Sequence, residues 1–278
     1  MELALVNDLI VPLEEALVSA HDRGLYFGDG VYEVVAWRNG RLFAWERHQQ
    51  RLRRSLREMQ MLERVDLAQI EQRVRRAVEA SGLEEAVVYF HVTRGRGPRK
   101  HDWPADWQMS FLLTVRSRPA AAPEAATAIT HPDWRWKRCD IKSLNLLANV
   151  LAKHAAGAAG AYEAVLVDEK GLVTEGAVTS VLMVEEGALR TAPLTANILP
   201  GITRALLLEA AGEAGLAVRE ESFTVAEALK GAELMLTGTT AEVIGVTHLD
   251  GERIGDGRVG RYTRRLREIL VARMGVGE

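Results

Sequence analysis

The sequence predicts an α+β fold in two domains, and three observations predict it. Strand-like and helix-like segments are mixed along the chain without the strict alternation that builds a parallel sheet. A run at 116–127, RSRPAAAPEAAT, is rich in proline, alanine and arginine and has no apolar period, which marks a linker between residues 1–115 and 128–278. The 278 residues, 47% of them hydrophobic, suffice for one large or two medium domains.

The elements follow in order. Residues 2–10 and 31–37 are β-branched and apolar enough for strands, and Asn39-Gly40 suits the turn of a hairpin to 41–44. From Trp45 to Met61 the apolar Leu52, Leu56 and Met59 recur at helical spacing among charges. Asp66 to Ser81 reads as a second helix, stopped by Gly82. Strands are expected at 86–93 and 109–115. Beyond the linker, 162–167, 172–184 and 189–192 suggest a meander of strands. Helices are expected at 201–215 and 225–230, strands at 233–236 and 243–248, and a closing helix at 259–274 with Leu266, Ile269 and Leu270 on one side.

Composition narrows the function. A net charge of −3 with 26% charged residues gives no reason to expect nucleic acid or an anionic membrane as partner. Cys139 is the one cysteine, so the chain suits a reducing compartment. The start, MELALVNDLIVPLEEAL, carries Asp8, Glu14 and Glu15 where a signal peptide would be apolar, and no run is long enough to span a membrane; the expectation is cytoplasmic. Neither a metal-spaced His/Cys cluster nor a G-x-S-x-G elbow nor a P-loop occurs. Six lysines stand among 35 basic residues, so chemistry that needs a primary amine has few candidates.

One of the six, Lys142, lies in RCDIKSLNLLANVLAKHAA, with Leu144, Leu146, Leu147, Val150 and Leu151 downstream. An apolar setting disfavours the ammonium form and exposes a neutral amine able to form a Schiff base, although a solvated lysine at a helix start fits the segment as well. Glu175 sits in LVTEGAVTSVLMV, where an isolated carboxylate needs a partner such as a protonated pyridine nitrogen; a strand-end turn would also suit Glu175-Gly176. Leu199-Pro-Gly-Ile202-Thr203-Arg204, ahead of a helix, and Thr237-Gly238-Thr239-Thr240, after an apolar strand, have the small and hydroxylic residues of a phosphate cradle or of an ordinary cap. Arg51 could add a countercharge. Arg99 and His101, in the loop RGRGPRKHDWP, could bind a carboxylate or lie on an exposed basic loop. The stretch HDRGLYFGDGVYE, 21–33, has three glycines before a strand and suggests tight backbone packing at a site wall.

Together and in order, DRGLYFGDGVYEVV, HQQRL, TRGRGPRKHDWP, RCDIKSLNLLANVLAK, YEAVLVDEKGLVTEGAVTSV, ILPGITR and LTGTTAEV resemble the fold-type IV pyridoxal-phosphate enzymes over roughly 7–270. The P-R-x-H of 98–101 and the D-I-K-S-L-N-L-L of 140–147 resemble the D-amino-acid aminotransferases within that family. The resemblance implies a smaller N-terminal α+β domain, a larger domain on a barrel-like sheet, and pyridoxal 5′-phosphate between them. It implies that Lys142 binds the cofactor as a Schiff base and then moves a proton at the substrate Cα, and that Glu175 pairs with the pyridine nitrogen. Arg51, Ile202, Thr203, Gly238 and Thr239 would hold the phosphate, with Leu199 beneath the ring. Tyr32, Arg99 and His101 would hold the substrate α-carboxylate, the last two from the partner of a homodimer. The implied reaction moves an amino group between a D-amino acid such as D-alanine and a 2-oxo acid such as 2-oxoglutarate. Branched-chain L- or (R)-amine transamination, aminodeoxychorismate lyase activity and a non-catalytic cofactor-binding role are the alternatives. Two positions depart from the family pattern: Val178 stands among residues that are usually serine and asparagine, and Gly238 where serine is usual.

Overall fold

The computed structural model describes residues 1–275. It divides into two compact units, Met1–Pro119 with Ile141–Asn145, and Ala120–Asp140 with Leu146–Glu278.

In the first unit the chain runs β1 (Leu3–Val6), β2 (Leu9–Pro12), α1 (Arg23–Phe27), β3 (Gly30–Arg38), β4 (Arg41–Leu42), α2 (Trp45–Glu58), α3 (Leu67–Ser81), β5 (Ala86–Thr93) and β6 (Ser110–Ser117). The strands form one antiparallel sheet in the order β2-β1-β6-β5-β3-β4. Local chemistry sets the boundaries. Asn39 and Gly40 both take positive φ, the backbone that a two-residue hairpin requires. Asp66 starts α3 by accepting from the Ala68 and Gln69 amides, and Gly82 ends it in the left-handed region. Alternate residues of the central strands, such as Val31, Val35, Phe90 and Leu113, form the core with Leu52 and Leu56 of α2 and Val74 and Val78 of α3.

β4 pairs only with Trp37 and Arg38 of β3. Along the same edge, nearer the start of β3, lies the returning segment Ile141–Asn145. The Tyr32 amide donates to the Lys142 carbonyl at 2.9 Å, the Leu144 amide donates to the Gly30 carbonyl at 3.1 Å, and Val31 bridges Ser143.

The second unit contains β7 (Ala125–Pro132), α4 (Leu147–Ala158), β8 (Glu163–Val167), β9 (Val173–Gly176), β10 (Ser180–Glu185), β11 (Ala188–Thr191), α5 (Ile202–Ala210), β12 (Ala217–Glu220), α6 (Val225–Lys230), β13 (Glu233–Gly238), β14 (Glu242–Leu249), β15 (Glu252–Arg253) and α7 (Arg261–Gly275). Its sheet is mixed, in the order β12-β11-β10-β13-β14-β7-β8-β9, with β15 on β14. Four strands separate β9 from β10 in that order, yet only Ala177–Thr179 join them. A flat sheet would put them about 24 Å apart at ~4.8 Å per strand. Four Cα–Cα steps of ~3.8 Å span at most about 15 Å. The sheet therefore curls, bringing its β9 end round to β10, where the Gly176 amide donates to the Thr179 carbonyl at 2.7 Å.

The chain crosses between units where the composition shifts, at 119–120, but also at 140–141 and 145–146, where no shift marks it. β7 begins inside the proline- and alanine-rich run, and α4 starts five residues after Lys142. Among the described residues no helix is long and apolar enough to cross a membrane, and no group of three or more His, Cys, Asp or Glu is placed to hold a metal ion.

Candidate active site

In the first unit Lys142 is fixed through both of its backbone groups. Its amide donates to Ser55 Oγ of α2 at 3.2 Å, and its carbonyl accepts from Tyr32. Its Nζ lies 4.2 Å from the centre of the Tyr32 ring. Sequence reasoning paired neither residue with what surrounds it. Tyr32 packs on Tyr89 with ring centres 5.7 Å apart, and Tyr89 Oη lies 2.9 Å from His91 Nδ1. Burial, with Tyr32 adding, pushes the Tyr89 hydroxyl up to about 12, and burial pushes the His91 ring below its usual range, so both are uncharged at neutral pH.

Glu33, the next residue of β3, points to the opposite face, into the helices. It is wholly buried, and it receives Arg51 Nε at 2.9 Å, Arg51 Nη2 at 2.7 Å and His48 Nδ1 at 2.7 Å. Burial alone would raise its carboxyl; Arg51 and His48 more than offset that and take it to about 2. Burial pushes His48 below its usual range despite Glu33, so the ring is neutral and donates from Nδ1. Arg51 is thus clamped by a carboxylate. The signal for Glu33 was present in the sequence: strand alternation puts it on the core side between Val31 and Val35, where an acid demands a cation.

Arg99 and His101 lie on the exposed loop after β5. Phe27 of α1 touches both, 5.9 Å from the Arg99 guanidinium carbon and 5.4 Å from the centre of the His101 ring.

In the second unit Glu175 stands near the end of β9, 4% exposed. Its Oε2 accepts from the Leu199 amide at 3.1 Å and from Arg135, a residue sequence reasoning missed. Arg135 also binds Asp133 with two nitrogens, at 2.8 Å each, and donates to the Asn197 carbonyl at 3.1 Å. Nothing in HPDWRWKRCD distinguishes this arginine from its neighbours, because the partners that place it in the site, Glu175 and Asn197, lie 40 and 62 residues along the chain. One arginine serves the two carboxylates of Asp133 and Glu175, which leaves the group net negative and suited to a second cation, and burial pushes Glu175 above the usual carboxylate range.

The turn Ala177–Thr179 lies at the seam where the sheet curls. The buried carboxylate of Glu163 supports it, accepting from the Thr179 hydroxyl at 2.9 Å and the Val178 amide at 3.3 Å. Val178 is 63% exposed and brings no hydroxyl. Beside the turn are Gly238, whose missing Cβ would come within 4 Å of Val178 O and Thr179 Cγ2, and Gly201, whose Cβ would meet Ser180 Oγ at 2.7 Å. Gly201 caps α5 without a side chain, which leaves the first-turn amides of Ile202 and Thr203 for an anion. Ile202 and Thr203 are buried there, and Thr239 is half-buried. A buried acid that shares its arginine with Asp133 and a glycine-capped helix start, both in this unit, suit the two ends of a phosphorylated pyridine.

The family model for amino-transferase class IV matches residues 30–249. A D-alanine aminotransferase of Bacillus licheniformis is 40% identical over 271 residues, 96% of this chain and 95% of that protein. One of Listeria monocytogenes is 37% identical over 274 residues, 96% of this chain and 94% of that protein. A crystal structure of a T.th. branched-chain amino acid aminotransferase with pyridoxamine 5′-phosphate is similar over 98% of this chain and 94% of that one, with a TM-score of 0.87 and 26% identity.

Proposed function

The chain belongs to the amino-transferase class IV family, and on that premise we propose that it is a pyridoxal-phosphate-dependent D-amino-acid aminotransferase. It moves the amino group of a D-amino acid such as D-alanine to a 2-oxo acid. The observation that carries the reading is the setting of Lys142, which is pinned by its backbone on the edge of β3 while its amine lies over the Tyr32 ring. The D-amino-acid class rests on the 40% identity spread over 96% of the chain; the branched-chain likeness is in fold, at 26% identity.

When bound, the cofactor supplies an aldehyde and a protonated ring that draws electrons from the substrate Cα. The protein's residues do the rest. Lys142 would hold the cofactor through its amine, and the same amine would take a proton at the substrate Cα and return it. Glu175, held by Arg135 and the Leu199 amide, would keep the ring nitrogen protonated, and Leu199 would pack against the ring. Ile202, Thr203, Gly238, Thr239 and Arg51 hold the phosphate. Tyr32, Arg99 and His101 bind the α-carboxylate, which decides the side of the substrate that Lys142 meets. Arg99 and His101 act from a second copy in a homodimer, and the enzyme works in the cytoplasm. The exposed side of α4 carries Leu147, Val150 and Leu151, an apolar stripe in keeping with a second copy.

The test is the absorbance of the purified protein before and after D-alanine and, separately, L-leucine. D-Alanine alone is expected to convert the bound cofactor to its amine form. Conversion by L-leucine alone would move the chain to the branched-chain substrates, and a cofactor band that added pyridoxal phosphate cannot produce would overturn the reading. Lys142→Ala is expected to lower turnover by about 10²- to 10⁴-fold.

A further inference from the structure

The loop that carries Arg99 and His101 is held by a buried chain of charges. Arg23, the first residue of α1, is 2% exposed, and its guanidinium spends every nitrogen on that work. Nε donates to Asp29 Oδ2 at 2.7 Å, Nη1 to the Lys100 carbonyl at 2.7 Å and the Asp102 carbonyl at 3.3 Å, and Nη2 to the His101 carbonyl at 3.2 Å. Three successive carbonyls of the loop therefore converge on one side chain. On its other side Asp29 receives Arg94 Nε at 3.1 Å from each oxygen. Arg94 is fully buried, donates to the Met59 carbonyl at 2.7 Å and stacks on Trp103, 3.9 Å from that ring's centre.

Two buried arginines share one carboxylate, leaving an excess positive charge that carbonyl oxygens and aromatic faces satisfy. Arg23 finds its carbonyls in the loop, so the loop conformation and the satisfaction of the buried cation are a single condition. Phe27, one turn along α1, completes the support from the side-chain end, against both the Arg99 guanidinium and the His101 ring. Backbone bonds close the rest: the Arg23 amide donates to the Gly95 carbonyl, and the Gly97 amide to the His21 carbonyl.

We propose that Arg23, with Phe27, is the positioning residue for substrate-carboxylate recognition, fixing the backbone around His101 so that Arg99 and His101 present their side chains in one geometry. The proposal rests on the reading of Arg99 and His101 as the carboxylate-binding pair. Arg23 touches no substrate; it acts through the loop. Lysine at this position keeps the charge beside Asp29 but cannot reach three carbonyls in a fork.

The experiment compares the holoenzyme with Arg23→Lys, Arg99→Ala, the double variant and Phe27→Leu. It measures KM and kcat for D-alanine, the affinity of the apoprotein for pyridoxal phosphate, and the melting temperature. Arg23→Lys is expected to raise KM by about tenfold, the scale of one charge-assisted contact, with kcat and cofactor affinity little changed. The double variant is expected to lose less than the two single losses combined, because Arg23 acts through Arg99 as well as through His101. Phe27→Leu, at a half-buried position, is expected to raise KM by about two- to fivefold, and it decides the matter if Arg23→Lys does not fold. An unchanged KM in a folded Arg23→Lys, or additive losses in the double variant, would overturn the proposal, as would a parallel fall in kcat and cofactor affinity, which marks a merely structural residue. If Arg99→Ala itself leaves KM unchanged, the failure lies with the carboxylate reading beneath it.

Discussion

Gly238 occupies a position where a side chain is sterically allowed. A Cβ there would meet Ala241 Cβ and Val178 O at 3.8 Å and nothing closer. Gly238→Ser is therefore expected to fold normally and to place a hydroxyl in the proposed phosphate cradle. Cofactor titration of the apoprotein should show affinity rising by roughly two- to tenfold, the worth of one hydrogen bond; no gain would remove residue 238 from the cradle. His48 and Glu33 give a second prediction, in pH. Both have folded-state values below their unfolded ones, so each stabilises the fold above its unfolded value and loses that contribution as pH falls. His48 acts first, below about 6.5, where the unfolded ring takes a proton that the buried one refuses. Glu33 follows, from about 4.5 down towards 2. Urea midpoints should fall between pH 7 and pH 5, and His48→Gln should flatten that decline while lowering stability at pH 7 by ~1–3 kcal/mol. An equal slope in the variant would assign the acid sensitivity elsewhere.

Elements with local instructions were readable from the sequence. Asp66 and Gly82 bracket α3 because a cap is a contract between residues two or three apart. The cap is also testable: Asp66→Ala leaves the Ala68 and Gln69 amides unmet and should cost ~1 kcal/mol, a drop of about 2–4 °C in melting temperature. An unchanged melting temperature would show that water replaces the carboxylate at no cost. Strand β7 gave no such signal, since Ala125–Pro132 opens inside the alanine- and proline-rich run, ends on a proline and gains its place by parallel pairing with β8 and β14. The site divides the same way. Lys142, Glu175 and the two small-residue segments each allow an ordinary reading in their local sequence and gain a role only from the ordered set of motifs around them. Arg135, Asp133 and the Arg23–Asp29–Arg94 chain gain none that way, because 40 residues separate Arg135 from Glu175 and 65 separate Arg94 from Asp29. An arginine in a chain this rich in arginine gains meaning only from what the fold brings to it.

For the whole molecule the cofactor should act as a stabiliser, because its proposed holders are assembled only in the folded chain. Pyridoxal phosphate at 100 times its Kd should add about 2.7 kcal/mol to the unfolding free energy. The melting temperature should rise with cofactor concentration, and rise less in Lys142→Ala; a temperature indifferent to the cofactor would contradict folded-state binding. Sedimentation is expected at twice the chain mass, and Val150→Glu on the apolar side of α4 is expected to shift it towards one chain. The segment Ile141–Asn145 has a further consequence, one of timing. It docks on β3 at Gly30–Tyr32, more than a hundred residues upstream. As the protein emerges from the ribosome, the first 119 residues can gather their core while that stretch of strand edge stays bare, and it remains so until Asn145 has cleared the exit. A nascent chain arrested before that point carries a sticky edge, and its last missing stave is the short piece that bears the lysine. Completion of the first unit and arrival of Lys142 are therefore the same event in synthesis.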